Sequence, residues 1–146
     1  MKTIHVAGVI LVSHDSVLLA RRKTDQAFGG LLEIPGGKIE PGESIIHAAK
    51  REMLEELGTR IPLCIPFMSL TWKGPEIQVS LSSVLAPIDQ KPTKSIDHSE
   101  LLWISLANLP IYIKYNYGEI TKPDIPILEV LAKQYQVNPD YFRFFG

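Results

Sequence analysis

The sequence predicts an α/β fold in which helices flank a mixed β-sheet, and three observations lead there. Runs of β-branched and apolar residues stand before, between and after two helical stretches. Several connections have hairpin length. The chain has 146 residues, 45% hydrophobic and 21% charged, which is the profile of a soluble globular protein. At that length a single domain over residues 1–146 buries roughly two-thirds of its unfolded surface.

In order along the chain, residues 4–12 (IHVAGVILV) and 17–21 (VLLAR) are predicted strands around the polar turn SHDS, forming a hairpin. The first apolar run follows one lysine, as an export signal would, but His5 interrupts it and no small-residue cleavage site follows, so it is read as a strand. RKTDQAFGG is a loop, LLEI (31–34) a short strand stopped by Pro35, and GGKIEPGES a loop ending in a helix N-cap at Ser44. Residues 45–57 form a helix stopped by Gly58. Strands 63–72 and 76–86 are joined by KGP, 87–99 is a polar loop, and LLWIS (101–105) is a further strand. Residues 107–123 read as irregular, and 124–135 as a second helix capped by Asp124, with Pro126 in its first turn. The aromatic tail NPDYFRFFG is expected to pack on the body or on a second subunit, leaving monomer and homodimer open.

Bulk properties narrow the partners. A formal net charge of −1 does not favour duplex nucleic acid or an anionic membrane. No apolar run approaches the ~20 residues that span a bilayer. Cys64 is the only cysteine, so no intramolecular disulfide forms and a reducing, cytoplasmic setting is expected.

The helix 45–57 raises a problem of charge. At about 100° per residue, Ile45, Ile46, Ala49, Met53 and Leu57 share one apolar arc, and Glu52, Glu55 and Glu56 fall on an overlapping stripe. Glu52 and Glu56 are spaced i, i+4, which for like charges costs a few tenths of a kcal/mol. The acids also crowd the C-terminal half of the helix, where the macrodipole disfavours negative charge, and Lys50 and Arg51 are too few to neutralise them. A solvated acidic face is the plain alternative. A bound hard cation, Mg²⁺ or Mn²⁺, removes the penalty, because clustered carboxylates and backbone oxygens are the ligands it takes.

The stretch GKIEPGESIIHAAKREMLEELGT, Gly37 to Thr59, resembles the signature box of the Nudix hydrolase family, G-x5-E-x7-R-E-U-x-E-E-x-G-U, with U aliphatic. Gly37, Glu43, Arg51, Glu52, Met53, Glu55, Glu56 and Gly58 match, and only Thr59 departs. LLARRK, LLEIPGGKIEPGES and DHSELLWISL extend the resemblance over most of the chain. It implies the Nudix fold, an α/β/α sandwich, and hydrolysis by water attack on phosphorus with a divalent metal, Mg²⁺ or Mn²⁺.

The resemblance also implies roles. Glu52, Glu55 and Glu56 would be metal ligands together with the Gly36 carbonyl, and an Arg51–Glu43 ion pair would hold the loop on the helix. Asp97, six residues before Trp103, stands where MutT-like members have a glutamate acting as ligand or base. Its shorter reach leaves Glu52 or Glu55 as alternative bases, and Glu100 is a further candidate. Arg22 matches a phosphate-contacting position. Asp124 matches the base-reading position before the last helix, where 8-oxo-dGTP-cleaning members carry asparagine. An ionised aspartate only accepts hydrogen bonds and so suits the exocyclic amine of cytosine, which resembles the CTP and modified-dCTP pyrophosphohydrolases. The alternatives are an 8-oxo-dGTP enzyme, an ADP-ribose-type hydrolase or a non-catalytic nucleotide-binding module. Pro75 stands near a proline of the ADP-ribose class, but KGP is an ordinary turn. Non-catalytic modules usually lose box glutamates, and this box is intact.

Overall fold

The computed structural model describes residues 1–143. Strands β1 (Lys2–Ser13) and β2 (Ser16–Arg22) form the expected hairpin, whose two-residue turn places His14 and Asp15 at φ 48° and 65°. Paired positive φ angles give a turn whose twist matches the strands it joins. Next come the short strands β3 (Leu32–Glu33) and β4 (Gly36–Lys38), helix α1 (Ile45–Leu57), and the hairpin β5 (Ile65–Lys73) and β6 (Ile77–Pro87). Strand β7 (His98–Ser105) precedes helices α2 (Leu109–Tyr115) and α3 (Ile125–Val137).

One sheet contains all the strands, in the order β3-β2-β1-β6-β5, with β4 added to β1 and β7 to β2. It is mixed because β1 and β6 run parallel while the other pairs are antiparallel.

Strand β1 is apolar at successive positions because both of its faces are covered, the pattern of a buried central strand. Val9 and Leu11 point to one core with Leu18, Val84, Ala86 and the α1 residues Ala49 and Met53. Ile10 and Val12 point to the other, with Val17, Leu19 and residues of α2 and α3 including Leu109, Ile113, Leu128 and Leu131. The alternation thus builds three layers, α1 on one face and α2 with α3 on the opposite face. Half-buried Cys64 packs at the edge of the first core, and burial raises its thiol pKa. Among the described residues no helix is long and apolar enough to cross a membrane.

Several expectations change. The segment 107–123 is not irregular: it holds α2 and short 3₁₀ turns, because Pro110 falls in the first turn of α2, where its missing N–H costs nothing. Gly36–Lys38 is a strand rather than loop. On α1, Ala49 and Met53 are buried as expected, but Ile45 and Ile46 remain exposed while Ala48 and Glu56 are buried, so the inward face is shifted toward Glu56. Asp124 stands at the N-cap position of α3, as expected, but does not cap it through its side chain. It closes a 3₁₀ turn, Lys122–Asp124, in αR conformation. In the tail, Phe142 is buried against Tyr135 and Tyr141 on the body of the molecule. The end of the tail, residues 144–146, lies outside the described residues.

Candidate active site

The phase of α1 is fixed at both ends. Ser44 Oγ accepts from the His47 N–H at 3.0 Å, and Gly58, at φ 62°, donates to the Leu54 carbonyl at 3.0 Å while Thr59 N–H reaches Met53 O at 3.2 Å. In that phase Glu56 is buried and the Glu52 side chain is 14% exposed, whereas that of Glu55 is 58% exposed. The Glu52 carboxylate lies directly against Gly37, where any Cβ would collide with it. Gly36, at φ 155°, packs as closely on the Ala7 carbonyl. The Gly36–Gly37 backbone is therefore clamped between β1 and Glu52: at Gly36 a Cβ would run into the Ala7 backbone and only glycine fits, while at Gly37 a Cβ would push the Glu52 carboxylate out of place.

Arg51 organises the loop around this clamp. Its Nε donates to Glu43 Oε2 at 2.7 Å, and Nη2 donates to Glu43 Oε1 at 2.9 Å and to the Lys38 carbonyl at 3.0 Å. Its Nη1 donates to Glu52 Oε1 at 3.0 Å and to Glu55 Oε2 at 3.3 Å. Glu43 also accepts from the Glu40 N–H at 3.0 Å and lies 2.6 Å from His47 Nδ1. Arg51 first, then these other bonds, hold the Glu43 carboxyl far below the usual carboxylate range, and Glu43 in turn raises Arg51. Every oxygen of Glu43 is thus committed to fastening the loop.

Glu56 is the converse case. Its Oε2 is buried with no hydrogen-bond partner. Burial, followed by the charges of Glu52, Glu33 and Asp97, pushes its pKa up to about 9. Such an oxygen is costly to leave unpaired, and a hard divalent cation supplies what it lacks. An all-oxygen donor set fits that ion. The donors gather about Glu56 without forming a finished cage, since no group of three His, Cys, Asp or Glu side chains among the described residues is arranged to hold a metal. Glu52 and Glu55 each keep one oxygen on Arg51.

Asp97 is brought to this cluster from the loop before β7, where Ile96 N–H donates to the Glu56 carbonyl at 3.3 Å. Glu100 is not: it accepts from Arg21 Nε at 2.8 Å. Two residues of the site escaped the sequence reading. Glu33 on β3 accepts from Arg22 Nη1 through both oxygens at 3.1 Å, and His98 Nε2 lies 2.8 Å from Glu33 Oε2. The only signals were a carboxylate inside an apolar strand and a histidine beside Asp97. Arg22 also donates from Nε to the Ala27 carbonyl at 2.5 Å, leaving Nη2 for a further acceptor.

From the Gly36–Gly37 clamp a cleft of about 420 Å³ runs to Asp124. Its apolar wall comes from Val6, Val79 and Leu81, and Arg22 and Glu33 stand along it. Asp124 Oδ2 accepts from the Ile34 N–H at 3.1 Å and from the Thr121 hydroxyl at 2.5 Å, which leaves Oδ1 for a ligand. Burial raises the Asp124 pKa from 3.8 to about 7; Glu33 adds to the rise, while Thr121, Ile34 and Arg22 oppose it.

The native state therefore holds this proton more tightly than the unfolded chain between those two values. The stabilisation is complete below the unfolded pKa and is lost as pH rises through about 7. Thermal unfolding is accordingly expected to show Tm falling more from pH 5 to pH 8 in the wild type than in Asp124→Asn. Equal pH slopes in the two proteins would contradict that assignment.

Fold and site together define a three-layer α/β/α protein that gathers carboxylates at one end of a nucleotide-sized cleft. The model of the NUDIX domain matches residues 1–123, and the chain belongs to the Nudix family, whose members generally need divalent metal ions. It is 30% identical over 139 residues to a CTP pyrophosphohydrolase of Escherichia coli, covering 95% of this chain and 98% of that protein. It is 35% identical over 85 residues to an 8-oxo-dGTP diphosphatase of Proteus vulgaris, covering 58% of this chain and 76% of that one. The solution structure of the E. coli ORF135 protein superposes with a TM-score of 0.77 at 29% identity, covering 95% of both chains. A MutT protein from Methanosarcina mazei shares the fold at a TM-score of 0.77 and 20% identity, covering 92% of this chain and 96% of that one.

Proposed function

We propose that this chain, as one Nudix domain over residues 1–146, is a Mg²⁺-dependent pyrophosphohydrolase of (d)NTPs that favours cytosine nucleotides, modified ones included. Its products are a nucleoside monophosphate and pyrophosphate. The observation that carries this reading is the single cleft joining the Gly36–Gly37 clamp, with Glu52 against it, to the unpaired oxygen of Asp124. A triphosphate at one end and a base at the other would fill it. The two relatives named above as acting on nucleoside triphosphates support the class.

The metal, Mg²⁺ with Mn²⁺ as the other fitting ion, would be held by Glu52, Glu55, Glu56, Asp97 and the Gly36 carbonyl, and when bound it supplies charge neutralisation and a lowered water pKa. The remaining work falls to the chain. Arg22 Nη2 meets a phosphate oxygen while Glu33 holds the rest of the guanidinium in place. Arg51 and Glu43 keep the loop on α1. Glu52, Glu55 or Asp97 takes the proton of the attacking water. Asp124 Oδ1 accepts from an exocyclic amine of the base. The single cysteine fits a reducing, cytoplasmic setting, with free nucleotides as partners and no duplex nucleic acid.

Hydrolysis of canonical, oxidised and methylated NTPs and dNTPs with Mg²⁺, read as pyrophosphate and phosphate released, tests the reading. Cytosine nucleotides are expected to exceed 8-oxo-dGTP in kcat/KM. The reverse ranking would reject the role of Asp124, and turnover of ADP-ribose in place of any triphosphate would reject the class.

A further inference from the structure

The start of β7 is irregular in a way that the functional reading above leaves unused. Arg21 pairs with Glu100 and Arg22 with His98, so Ser99 is an extra residue, a bulge in the β2–β7 ladder. A bulge re-aims the side chain beside it, and here it accompanies an inward His98, whose side chain is only 3% exposed. His98 Nδ1 lies 2.9 Å from Ser95 Oγ, and Ser95 Oγ accepts from the Asp97 N–H at 3.2 Å. The Asp97 amide donates to Ser95, and because a carboxylate can only accept, His98 Nε2–H donates to Glu33; in the neutral ring that this tautomer defines, Nδ1 is then the acceptor for the Ser95 hydroxyl. Glu33 in turn is fixed by Arg22.

The loop that carries Asp97 is pinned at further points. Lys23 Nζ donates to the Ile96 carbonyl at 2.6 Å, and Trp103 Nε1 to the Pro92 carbonyl at 3.2 Å. Lys23 holds the carbonyl of the Ile96–Asp97 peptide and the Glu56 carbonyl holds the Ile96 N–H, while the Ser95–His98 relay takes the Asp97 N–H itself. Aspartate is one methylene shorter than the glutamate usual at this position, so it cannot swing into place from a loosely held backbone.

We propose that Ser95 and His98 are positioning residues that hold the Asp97 backbone so that its short carboxylate reaches the α1 glutamates. The inference rests on the reading of Asp97 as a ligand or base. Neither positioning residue needs to touch substrate. Outer partners of metal-binding side chains typically contribute about 10- to 100-fold in affinity or activity.

A double-mutant cycle on the full chain tests it, with turnover of a nucleoside triphosphate and the dissociation constant of Mn²⁺ alone, from titration calorimetry, as separate readouts. Ser95→Ala and His98→Gln are each expected to weaken Mn²⁺ binding and lower kcat by about tenfold, while Ser95→Thr, which keeps the hydroxyl, restores both. In an Asp97→Asn background Ser95→Ala is expected to add no further loss. Equal losses in both backgrounds would overturn the relay, since a general structural defect is additive. Wild-type behaviour of Ser95→Ala beside a crippled Asp97→Asn would overturn it as well, with the role of Asp97 intact. Wild-type behaviour of Asp97→Asn itself would remove the assignment of Asp97, and the relay with it.

Discussion

Glu56→Gln is expected to fold with a Tm within a few degrees of the wild type when both are measured in chelator, and to lose about a thousandfold or more of its metal-dependent turnover. The two halves of this result share one cause. The Glu56 carboxyl is buried with an unpartnered oxygen, and burial already disfavours its charge. Glutamine keeps the shape and removes the charge, so the bare fold loses little. A cation loses a ligand it cannot replace. Turnover near the wild-type rate would refute the assignment of Glu56, and collapse of the fold in chelator would mean that Glu56 is held by contacts other than those described.

Arg51→Lys should fail in the opposite manner, through the architecture. Lysine retains the charge but not the planar fork, and the fork is what reaches Glu43, the Lys38 carbonyl, Glu52 and Glu55 at once. The variant is expected to lower Tm by several degrees and turnover by about 100-fold, with faster amide exchange over Gly36–Ser44. An unchanged exchange rate in that loop would show that Arg51 does not fasten it.

How much was legible in the sequence depended on the distance between the residues involved. Helix α1 and its acids could be read directly, because Ser44, Gly58 and the i, i+4 carboxylates are local signals. The strands of the two hairpins were legible for the same reason. Glu33 and His98 were not, since they meet only after β2 has paired with β3 on one side and β7 on the other. The bulge at Ser99 that accompanies His98 leaves no mark in composition. Helix α2 was hidden because its seven residues are too few to show a helical period, and its stability comes from packing Leu109 and Ile113 on the core. Asp124 carried two expectations, a helix cap and a base-reading position, and the structure puts it at the start of α3 and on the wall of the cleft. Its preference for the start of a helix predicted a cap, and tertiary contact with Ile34 turned it to the cleft.

The parallel pairing of β1 with β6 bears on how the molecule comes into being. Lys2 lies beside Ile77 and Val12 beside Pro87, so the central seam joins stretches that leave the ribosome far apart in time. Non-local pairing of this kind is slow, because the loop between the partners must close before any contact rewards it. The signature box, Gly37 to Thr59, is made inside that loop. It therefore leaves the ribosome while half of its supporting sheet is still unmade, before Asp97 and Asp124 have been synthesised. A site whose chemistry is written in 23 consecutive residues is nonetheless assembled only when most of the chain has been synthesised.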